Sequence, residues 1–582
     1  MSELHLASEA VRLALREGRI GTPVSLRLIA HTTPDHGQLL GLVGRCLDLA
    51  CEWLGAPPLR LHATGGVPTG QISTLLRCAA GQTALVSVGS AAWDPLVHLV
   101  LVGTRGILAW EPDGSQPSAA ADPAPAHPSE GAETLLRAVL LSLQTHDVVD
   151  VSQLKPLQKL DEGQRSPAPR TGTAKTAPAP PRPVDPPLRQ AVHRRSGPTP
   201  PYGVLLVTGA HTHQENYAEA FAADPRCRLV GLTDEPDLPP RRNALNEQLA
   251  RALSIPLLPS LDEALARPDV HIVSICAQPE RRARIICRCA NAGKHLYLDK
   301  PLAASVAEAG EIVEAVCRAG VYSQMFSQVH ATPAARARLA LDSGKLGDVV
   351  AVHCDLFFAK GPAGTADLAK PRVETRQPQQ FEAIESKREL FNVGVYPLVL
   401  IRWLLGRAVH KVCAVIGNYF FREHQQNDME DFATLILELE GGVTATIAVG
   451  RTGWPSHPAG GVNATYLMGT KAVARIDAYR PRLAVWADEP PWSAPRRHPE
   501  DPMGFWSSTQ KEVSAPPKRA WLVASDGGKE DVRYFLDCLE QGRPSDVSAK
   551  EAAAALEALM AAYESAALGR AVALAKPRGA RD

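Results

Sequence analysis

A lysine that follows a short apolar run is the residue of this chain best placed to do chemistry. Residues 295–298 predict a buried parallel strand, and they lead directly into Asp299, Lys300 and Pro301. Ligands of open α/β sheets bind just outside the carboxyl ends of the strands, so a lysine at that point faces a ligand crevice. Its cationic side chain could hold an oxygen atom and stabilise developing negative charge. The alternative is a solvated lysine at a strand end.

The elements that must position Lys300 alternate between strand and helix. Apolar strands are predicted at 204–207, 229–232 and 272–276, and a helical period follows each of them. Capping boxes at 260–263 and 305–308 mark the starts of two of the helices. This alternation predicts a doubly wound parallel sheet of the α/β class.

Changes of pattern divide the 582 residues into four parts. Residues 202–322 hold the predicted parallel sheet. Residues 1–160 and 323–582 combine helical periods, short strands and hairpin turns, which predicts an α+β domain with a mainly antiparallel open sheet in each. Residues 161–201 are rich in Pro, Ala, Ser and Thr, with few large apolar side chains, so we predict an extended linker there. A docking patch formed by the arginines of this linker is the alternative.

The first and last parts share four short matches that occur in the same order. Residues 12–21 correspond to 338–347, 47–55 to 398–406, 102–104 to 468–470, and 150–152 to 546–548. Matches in a constant order indicate a duplicated unit. We therefore predict that residues 1–160 are a second, degenerate copy of the carboxy-terminal α+β domain. An independent partner-binding module is the alternative.

Composition limits the classes of partner. The 62 basic and 62 acidic residues cancel, so we expect neither nucleic acid nor an anionic membrane as a partner. The eleven cysteines follow no disulfide or zinc-site spacing, and the amino terminus has no signal-peptide pattern, so we expect a cytoplasmic protein with reduced thiols. We also expect no metal site, because no spacing unites the histidines, among them His211, His213, His330, His353 and His424.

From about residue 202 to residue 577 the chain resembles the Gfo/Idh/MocA family, the relatives of glucose-fructose oxidoreductase and inositol dehydrogenase. The family's Ala-Gly-Lys-His-Val and Glu-Lys-Pro appear at 292–296 and 299–301, with Leu for Val and Asp for Glu. Its Asp-x-Gly-x-His appears at 392–396 as Asn-Val-Gly-Val-Tyr, similar to the dihydrodiol dehydrogenase branch. The resemblance implies a Rossmann domain that binds NAD(P), followed by a domain whose open sheet commonly mediates oligomerisation.

The resemblance also implies catalytic roles for three residues. The nicotinamide cofactor carries the hydride, and the protein positions the substrate and moves a proton. Lys300 would hold the substrate oxygen, and Asn392 would orient the substrate. Tyr396 would exchange the proton, provided that the lysine lowers a phenol pKa that is ordinarily near 10. For Tyr396 the alternative is a core tyrosine on a helix face.

The glycine-rich motif with which the family binds the pyrophosphate of the cofactor is only partly present. Gly209 remains, but His211 and Gln214 stand where the family has glycines that let the backbone approach the pyrophosphate. Asp234, at the end of the second strand, suits the adenosine ribose and favours NAD, while Arg241 and its neighbour Arg242 leave NADP open. The predicted cofactor-binding residues are Thr208, Gly209, His211, Gln214, Asp234, Gln278, Pro279, Asp299 and Lys300.

These observations lead to a prediction of function and of assembly. The resemblance implies an NAD(P)-dependent oxidoreductase that acts on a hydroxyl or carbonyl carbon of a sugar, cyclitol or similar polyhydroxylated small molecule. The alternative is a non-catalytic relative with a binding or regulatory role. In the amino-terminal copy Gly41 and Arg45 stand opposite Asn392 and Tyr396, so we expect no active site there. We expect 1–160 and 323–582 to form an internal pseudo-dimer, and further homo-oligomerisation stays open.

Overall fold

The structure is a computed structural model. It describes residues 3–32, 36–90, 96–110, 129–154, 199–208, 213–235, 240–344, 346–359, 364–370, 388–453, 461–477, 483–487 and 527–574. The predicted linker 161–201 lies almost entirely outside the described residues. None of the helices in these ranges is long and apolar enough to cross a membrane.

The amino-terminal part folds as helices on one face of a mainly antiparallel sheet, which confirms its predicted class. Its elements are α1 (Glu3–Arg16), β1 (Pro23–Thr32), α2 (His36–Leu54), β2 (Pro58–Gly66), β3 (Gln71–Cys78), β4 (Thr83–Ser90), β5 (Leu96–Gly103), β6 (Gly106–Trp110), α3 (Glu130–Thr145) and β7 (Val149–Asp150). The sheet runs β6-β5-β1-β4-β3-β2-β7, and only β1 and β4 pair in parallel. Leu4, Val11 and Trp53 bury the helices against its outer face.

The middle part is the parallel sheet predicted from the alternating pattern. Its elements are β8 (Tyr202–Val207), α4 (Gln214–Ala222), β9 (Cys227–Thr233), α5 (Pro240–Leu253), α6 (Leu261–Ala266), β10 (Ile272–Ile275), α7 (Pro279–Asn291), β11 (His295–Leu298), α8 (Val306–Ala319) and β12 (Ser323–Met325). The strand order β12-β11-β10-β8-β9 changes direction between β10 and β8, which opens a crevice at their carboxyl ends. Ser260 and Ser305 cap their helices as predicted, accepting from the backbone N–H of Glu263 and Glu308. The returning bond of the second capping box differs, because Glu308 accepts from Ala304 N and not from Ser305 N.

The carboxy-terminal part is again a helix-backed, mainly antiparallel sheet. Its elements are α9 (Thr332–Asp342), β13 (Val349–Phe358), α10 (Glu389–Val393), α11 (Val395–Leu405), β14 (Val409–Gly417), α12 (Arg422–Gln426), β15 (Phe432–Leu439), β16 (Thr444–Arg451), β17 (Gly461–Gly469), β18 (Val473–Asp477), β19 (Leu483–Ala487), α13 (Gly527–Gln541), α14 (Ala549–Leu568) and β20 (Val572–Ala573). The sheet order is β18-β17-β13-β16-β15-β14-β20.

Two elements of this last part leave its own sheet. Strand β19 pairs antiparallel with β6 and so extends the amino-terminal sheet. Helix α13 packs instead on the parallel sheet, where Phe535 contacts the ring of Tyr297 and Asp531 accepts a hydrogen bond from the Tyr297 hydroxyl at 2.7 Å. The predicted range 323–582 therefore holds strands of three sheets, because it also contains β12 (Ser323–Met325) of the parallel sheet.

The inner faces of the first and last sheets pack on each other. Apolar side chains of both sheets form one shared cluster, including Val100 and Ile107 from the first and Phe432 and Ile436 from the second. A buried ion pair crosses this interface: Arg27 Nε donates to Asp355 Oδ1 at 2.7 Å, and each side chain is only 2% exposed. The inner face of the carboxy-terminal sheet is therefore covered by the amino-terminal part of the same chain.

Candidate active site

Lys300 lies directly after β11, at the edge of the parallel sheet where the crevice opens. The strand is fixed by parallel pairing to β10 on one side and to β12 on the other. Asp299 N donates to Ile275 O at 2.9 Å, which extends the pairing to the residue before the lysine. The Lys300-Pro301 peptide bond is cis. Lys300 therefore lies at the carboxyl edge of the parallel sheet, as the sequence predicted.

The Lys300 ammonium group bridges the parallel sheet to the carboxy-terminal domain. It donates to the backbone carbonyl of Asn392 at 2.8 Å and also to the Asn392 side-chain oxygen. It lies 5.2 Å from the centre of the Tyr396 ring. The structure therefore brings together the three residues predicted to be catalytic.

A break between two helices sets the positions of Asn392 and Tyr396. Gly394 joins α10 to α11, and its N–H donates to Leu390 O at 2.8 Å. A Cβ atom at Gly394 would lie 2.6 Å from that carbonyl oxygen, so any side chain there would push the two helices apart. The glycine of the predicted motif is required by this close approach.

The protonation chemistry of the site differs from the one expected. Burial lowers the pKa of Lys300 to about 8, against the opposing effect of the Asp299 and Glu389 carboxylates. Burial raises the pKa of Tyr396, and Asp299 and Asp531 raise it further. The condition attached to Tyr396, a phenol pKa lowered by the lysine, is therefore wrong. Lys300 is the group of this pair that titrates near neutral pH.

The Asp299 carboxylate is held by the protein on three sides. It accepts from Tyr217 Oη at 2.9 Å, contacts His213 Nδ1 at 3.1 Å and pairs with Arg282 Nη2 at 3.4 Å. Burial alone would raise its pKa, but His213, Arg282 and Lys300 lower it well below the ordinary carboxyl range. Asp299 is therefore an ionised residue that fixes the end of β11 and lies beside Lys300.

Arg282 stabilises the same turn by donating hydrogen bonds to backbone carbonyls. Its side chain is 3% exposed, and it donates to Ala277 O at 2.9 Å, to Asp299 O at 3.2 Å and to Pro301 O. No motif in the sequence predicted a role for Arg282. The contacts of Arg282 show that it orders the backbone on both sides of Lys300.

Gln214 does not occupy the crevice. Its side chain is 0% exposed, and its amide donates to Val207 O at 3.3 Å and to Ser274 O at 2.8 Å. Its oxygen accepts from the Ser274 hydroxyl at 2.8 Å. The first residue of α4 is thus anchored on β8 and β10 by side-chain hydrogen bonds, and this side chain does not crowd a bound pyrophosphate.

An arginine covers the carboxylate predicted to bind the adenosine ribose. Arg281 donates to Asp234 Oδ1 through Nη1 at 3.1 Å and Nη2 at 3.2 Å, and it also pairs with Glu235. Its Nε donates to Gln278 Oε1 at 3.0 Å. The Asp234 side chain is 2% exposed, so a ribose can reach it only after Arg281 moves.

The remaining predicted residues surround the same crevice. Thr208 directly follows β8, with its hydroxyl donating to Asn246; Gln278 precedes α7, and Pro279 is its first residue. Gly209 and His211 lie outside the described residues, as do the side chains of Arg241 and Arg242. Within the described ranges there is no group of three or more His, Cys, Asp or Glu side chains that could hold a metal ion. The eleven cysteines are free thiols in the structure.

The described residues fit a nicotinamide dinucleotide. The crevice opens where the strand order changes direction, the acidic residue Asp234 directly follows β9, and the Gln214 side chain points into the sheet. Thr208, Gln278 and Pro279 lie at this edge of the sheet and would hold the dinucleotide, and Asp234 would join them once Arg281 has moved off its carboxylate. Lys300 lies just after the end of β11.

Comparison with protein-family models gives two matches. Residues 204–326 match the oxidoreductase family with an NAD-binding Rossmann fold, and residues 334–475 match the GFO/IDH/MocA C-terminal domain. The boundary between the two matches falls between β12 and α9.

Individual relatives are distant. The chain is 23% identical over 300 residues to trans-1,2-dihydrobenzene-1,2-diol dehydrogenase of Bos taurus, covering 51% of this chain and 77% of that protein. It is 27% identical over 198 residues to dTDP-3,4-didehydro-2,6-dideoxy-alpha-D-glucose 3-reductase of Streptomyces violaceoruber, covering 34% and 52%. Among solved structures, GenD2 from gentamicin A biosynthesis in complex with NAD aligns with a TM-score of 0.49 and 24% identity, over 64% of this chain and 97% of that one.

Proposed function

Residues 204–326 and 334–475 are the two domains of a GFO/IDH/MocA oxidoreductase, and on this premise we propose that the chain transfers a hydride between a nicotinamide and a hydroxyl-bearing carbon of a polyhydroxylated small molecule. The similar proteins act, by their names, on a cyclic diol and on a nucleotide-linked deoxyhexose. Both names place the reacting carbon beside other oxygen-bearing carbons. We therefore propose a sugar, cyclitol or similar polyol as the substrate class.

One observation carries this proposal: the Lys300 ammonium, the Asn392 side chain and the Tyr396 phenol meet at the carboxyl edge of the parallel sheet. The two hydrogen bonds to Asn392 leave the third ammonium proton for a substrate oxygen. The Tyr396 hydroxyl has no hydrogen-bond partner among the residues that the structure describes. Two donors are thus available for one substrate oxygen.

The roles of the residues follow from their charges. The bound dinucleotide supplies the hydride donor or acceptor. Lys300 takes up the hydroxyl proton as a neutral amine, or gives it to a carbonyl oxygen as an ammonium. Tyr396, whose raised pKa keeps it protonated, donates a hydrogen bond to the same oxygen. Asn392 holds the Lys300 nitrogen in place, and Arg282 fixes the backbone around it.

We further propose that residues 1–160 are a second copy of the carboxy-terminal domain, packed on it as an internal pseudo-dimer. Matched in chain order, β1 to β7 and β13 to β20 without β19 give sheets of the same order. This order matches β7 with β20, so the predicted correspondence of 150–152 with 546–548, which precede α14, is wrong. Local contacts recur as well: Ala63 N donates to Ser142 Oγ at 2.9 Å, and Ala414 N donates to Ser565 Oγ at 3.0 Å. These likenesses support duplication of a whole domain.

The experiment that tests the proposed reaction uses the full chain. The purified protein would be incubated with NAD or NADP and a panel of sugars, cyclitols and cyclic diols, with nicotinamide reduction followed by absorbance. We expect turnover with at least one polyol and none with a monofunctional alcohol of the same size. Saturable cofactor binding without turnover of any polyol would contradict the substrate class.

The pKa of Lys300 predicts how the rate depends on pH. Alcohol oxidation needs the neutral amine, so kcat/KM should rise with pH through a midpoint of about 8 and then level off. Carbonyl reduction needs the ammonium, so its kcat/KM should be constant below that midpoint and fall above it. Rate profiles measured in both directions would check this. An oxidation rate that is flat from about pH 6 to about pH 10 would remove Lys300 from proton transfer.

A binding or regulatory role is the second candidate, and the ion pair over Asp234 is the observation that favours it. If Arg281 restricts access to Asp234, Arg281→Gln should lower the Kd for NADH about tenfold, because a charge-assisted contact no longer has to be broken. Fluorescence titration would measure this. Arg284→Gln is the matched control, since Arg284 pairs with Glu235 at 2.7 Å but makes no contact with Asp234.

The same titration separates the two candidates. Tighter NADH binding by Arg281→Gln together with polyol turnover supports the oxidoreductase with a restricted cofactor site. Weaker binding would instead make Arg281 a cofactor ligand. Folded proteins, wild type and variant, that bind neither NADH nor NADPH would favour the binding or regulatory role.

A further inference from the structure

Two arginines stand directly opposite each other on neighbouring strands of the amino-terminal sheet. Arg60 of β2 pairs in register with Arg77 of β3. Like charges in such a cross-strand position destabilise a sheet unless something of opposite charge lies between them. Both side chains are half-buried. Within the part of the chain that the structure describes, neither guanidinium forms a hydrogen bond or ion pair, and Arg77 Nε is buried.

The matching position of the carboxy-terminal sheet is compensated. There Lys411 of β14 stands opposite Glu438 of β15, and the two side chains form an ion pair at 3.8 Å. Each of the two sheets has a register shift just before its basic residue, between Pro58 and Arg60 and between Val409 and Lys411. The two sheets thus share the geometry at this point, but the position opposite the basic residue is acidic in one of them only; in the amino-terminal sheet the acidic neighbour of Arg60 is Asp150, on its other side.

The arginine pair lines a cleft between the two domains. The cleft encloses a volume of about 50 Å³ that water-sized groups can occupy, and it opens to solvent. Arg60, His62 and Arg77 form its polar wall, and Cys413, Val415, Ile416 and Ala566 are among the residues of the opposite, mostly apolar wall. The Arg60 guanidinium crosses the cleft to Gly569, where an added Cβ atom would lie 2.3 Å from Nη1.

The carboxylates near this cleft are already engaged. Asp150 is the other cross-strand neighbour of Arg60, and its carboxylate accepts from Ser152 N and Oγ. Asp147 accepts from Val148 N at 2.7 Å and from Ala571 N at 3.2 Å. Asp150 offsets part of the charge of Arg60: the hydrogen bond from Ser152 lowers the pKa of this carboxyl, and the nearby Arg60 guanidinium lowers it further. Arg77 stands in register between Arg60 and Thr83, with no carboxylate opposite it, and its Nε is buried.

We propose that this cleft binds a phosphate group, free or carried by a small organic molecule, between the guanidinium groups of Arg60 and Arg77. Guanidinium forks match phosphate oxygens in geometry and charge. The apolar wall would contact the organic part of a phosphate ester. This site contains none of the residues around Lys300, and it does not depend on the proposed reaction.

Calorimetric titration of the full chain with sodium phosphate and with phenyl phosphate, at constant ionic strength, tests the proposal. We expect saturable binding of at least one probe. Arg60→Gln and Arg77→Gln should each weaken it about tenfold or more, because each removes a charged donor. Arg16→Gln, which removes an exposed arginine from α1, should leave it unchanged. Tighter binding of phenyl phosphate would identify an organic phosphate, and equal binding a free ion.

Replacing Arg77 with an acidic residue gives a second test of phosphate binding, one that does not depend only on the loss of a hydrogen-bond donor. Arg77→Glu would recreate the basic–acidic pair of the other sheet, so it should abolish phosphate binding and raise the thermal unfolding midpoint in phosphate-free buffer. Absence of binding by the wild type would overturn the proposal. Binding that is unchanged in both glutamine variants would place the phosphate elsewhere, for example in the dinucleotide crevice, and would overturn it as well.

Discussion

Lys300→Met should reduce kcat for polyol oxidation by about a thousandfold, while the Kd for NADH changes little. The substitution removes the only ammonium group that contacts Asn392 in the described structure, and with it both the proton carrier and the charge beside the substrate oxygen. Methionine has a similar length and no charge, so it preserves packing against the Tyr396 ring. Steady-state kinetics on the best substrate of the panel, with NADH titration in parallel, would measure both quantities.

Lys294→Met is the matched control for this substitution. Lys294 precedes the same strand, and its ammonium group donates to Arg267 O at 3.1 Å and Val270 O at 2.9 Å, away from the Lys300 contacts. We expect it to lower stability without a comparable loss of kcat. A Lys300→Met protein that keeps more than about a tenth of wild-type kcat would show that another group moves the proton.

The fold was largely predictable because its strands have clear periods and apolar composition. β8, β10 and β11 are short runs that are buried on both faces, and such runs are visible in sequence. No strand was predicted at β2, because it begins with Pro58, ends with Gly65-Gly66 and carries arginine and histidine on the face toward the cleft. The pairing of β19 with β6 could not be inferred, since nothing local identifies a partner strand so distant in sequence.

The site was predictable as far as its motifs reach. Lys300 and Asn392 are each recognisable in their own segment, and a common crevice follows from the strand order. The contacts between distant segments were not predictable. Arg281 binds Asp234, which lies 47 residues earlier in the sequence. The Gln214 side chain points into the sheet because the hydroxyl and the carbonyl of Ser274 form hydrogen bonds with it there. The pKa of Tyr396 depends on burial and on Asp531, which reaches the site from a distant helix.

Arg27→Met should destabilise the packing of the two sheets by about 3–5 kcal/mol, because it leaves the buried Asp355 carboxylate without its partner. Arg27 also donates to Cys354 O at 3.0 Å and to the Thr446 hydroxyl, so the substitution removes every contact of its guanidinium with β13 and β16. Urea denaturation of the full chain, followed by circular dichroism, would show the loss as a lower midpoint.

The double variant Arg27→Met, Asp355→Leu distinguishes the cost of an unpaired charge from the cost of lost packing. Replacing both charges with apolar groups should restore most of the midpoint, because isosteric apolar pairs often match buried ion pairs in stability. An Arg27→Met variant as stable as the wild type would show that water reaches Asp355.

If Arg27→Met separates the sheets, the inner face that carries Phe357, Phe432 and Ile436 becomes exposed. That variant should then self-associate in size-exclusion chromatography, because an uncovered apolar face of this kind favours association with a second copy. In the wild type the amino-terminal domain occupies that face, so the covering of the sheet depends on one buried contact surface.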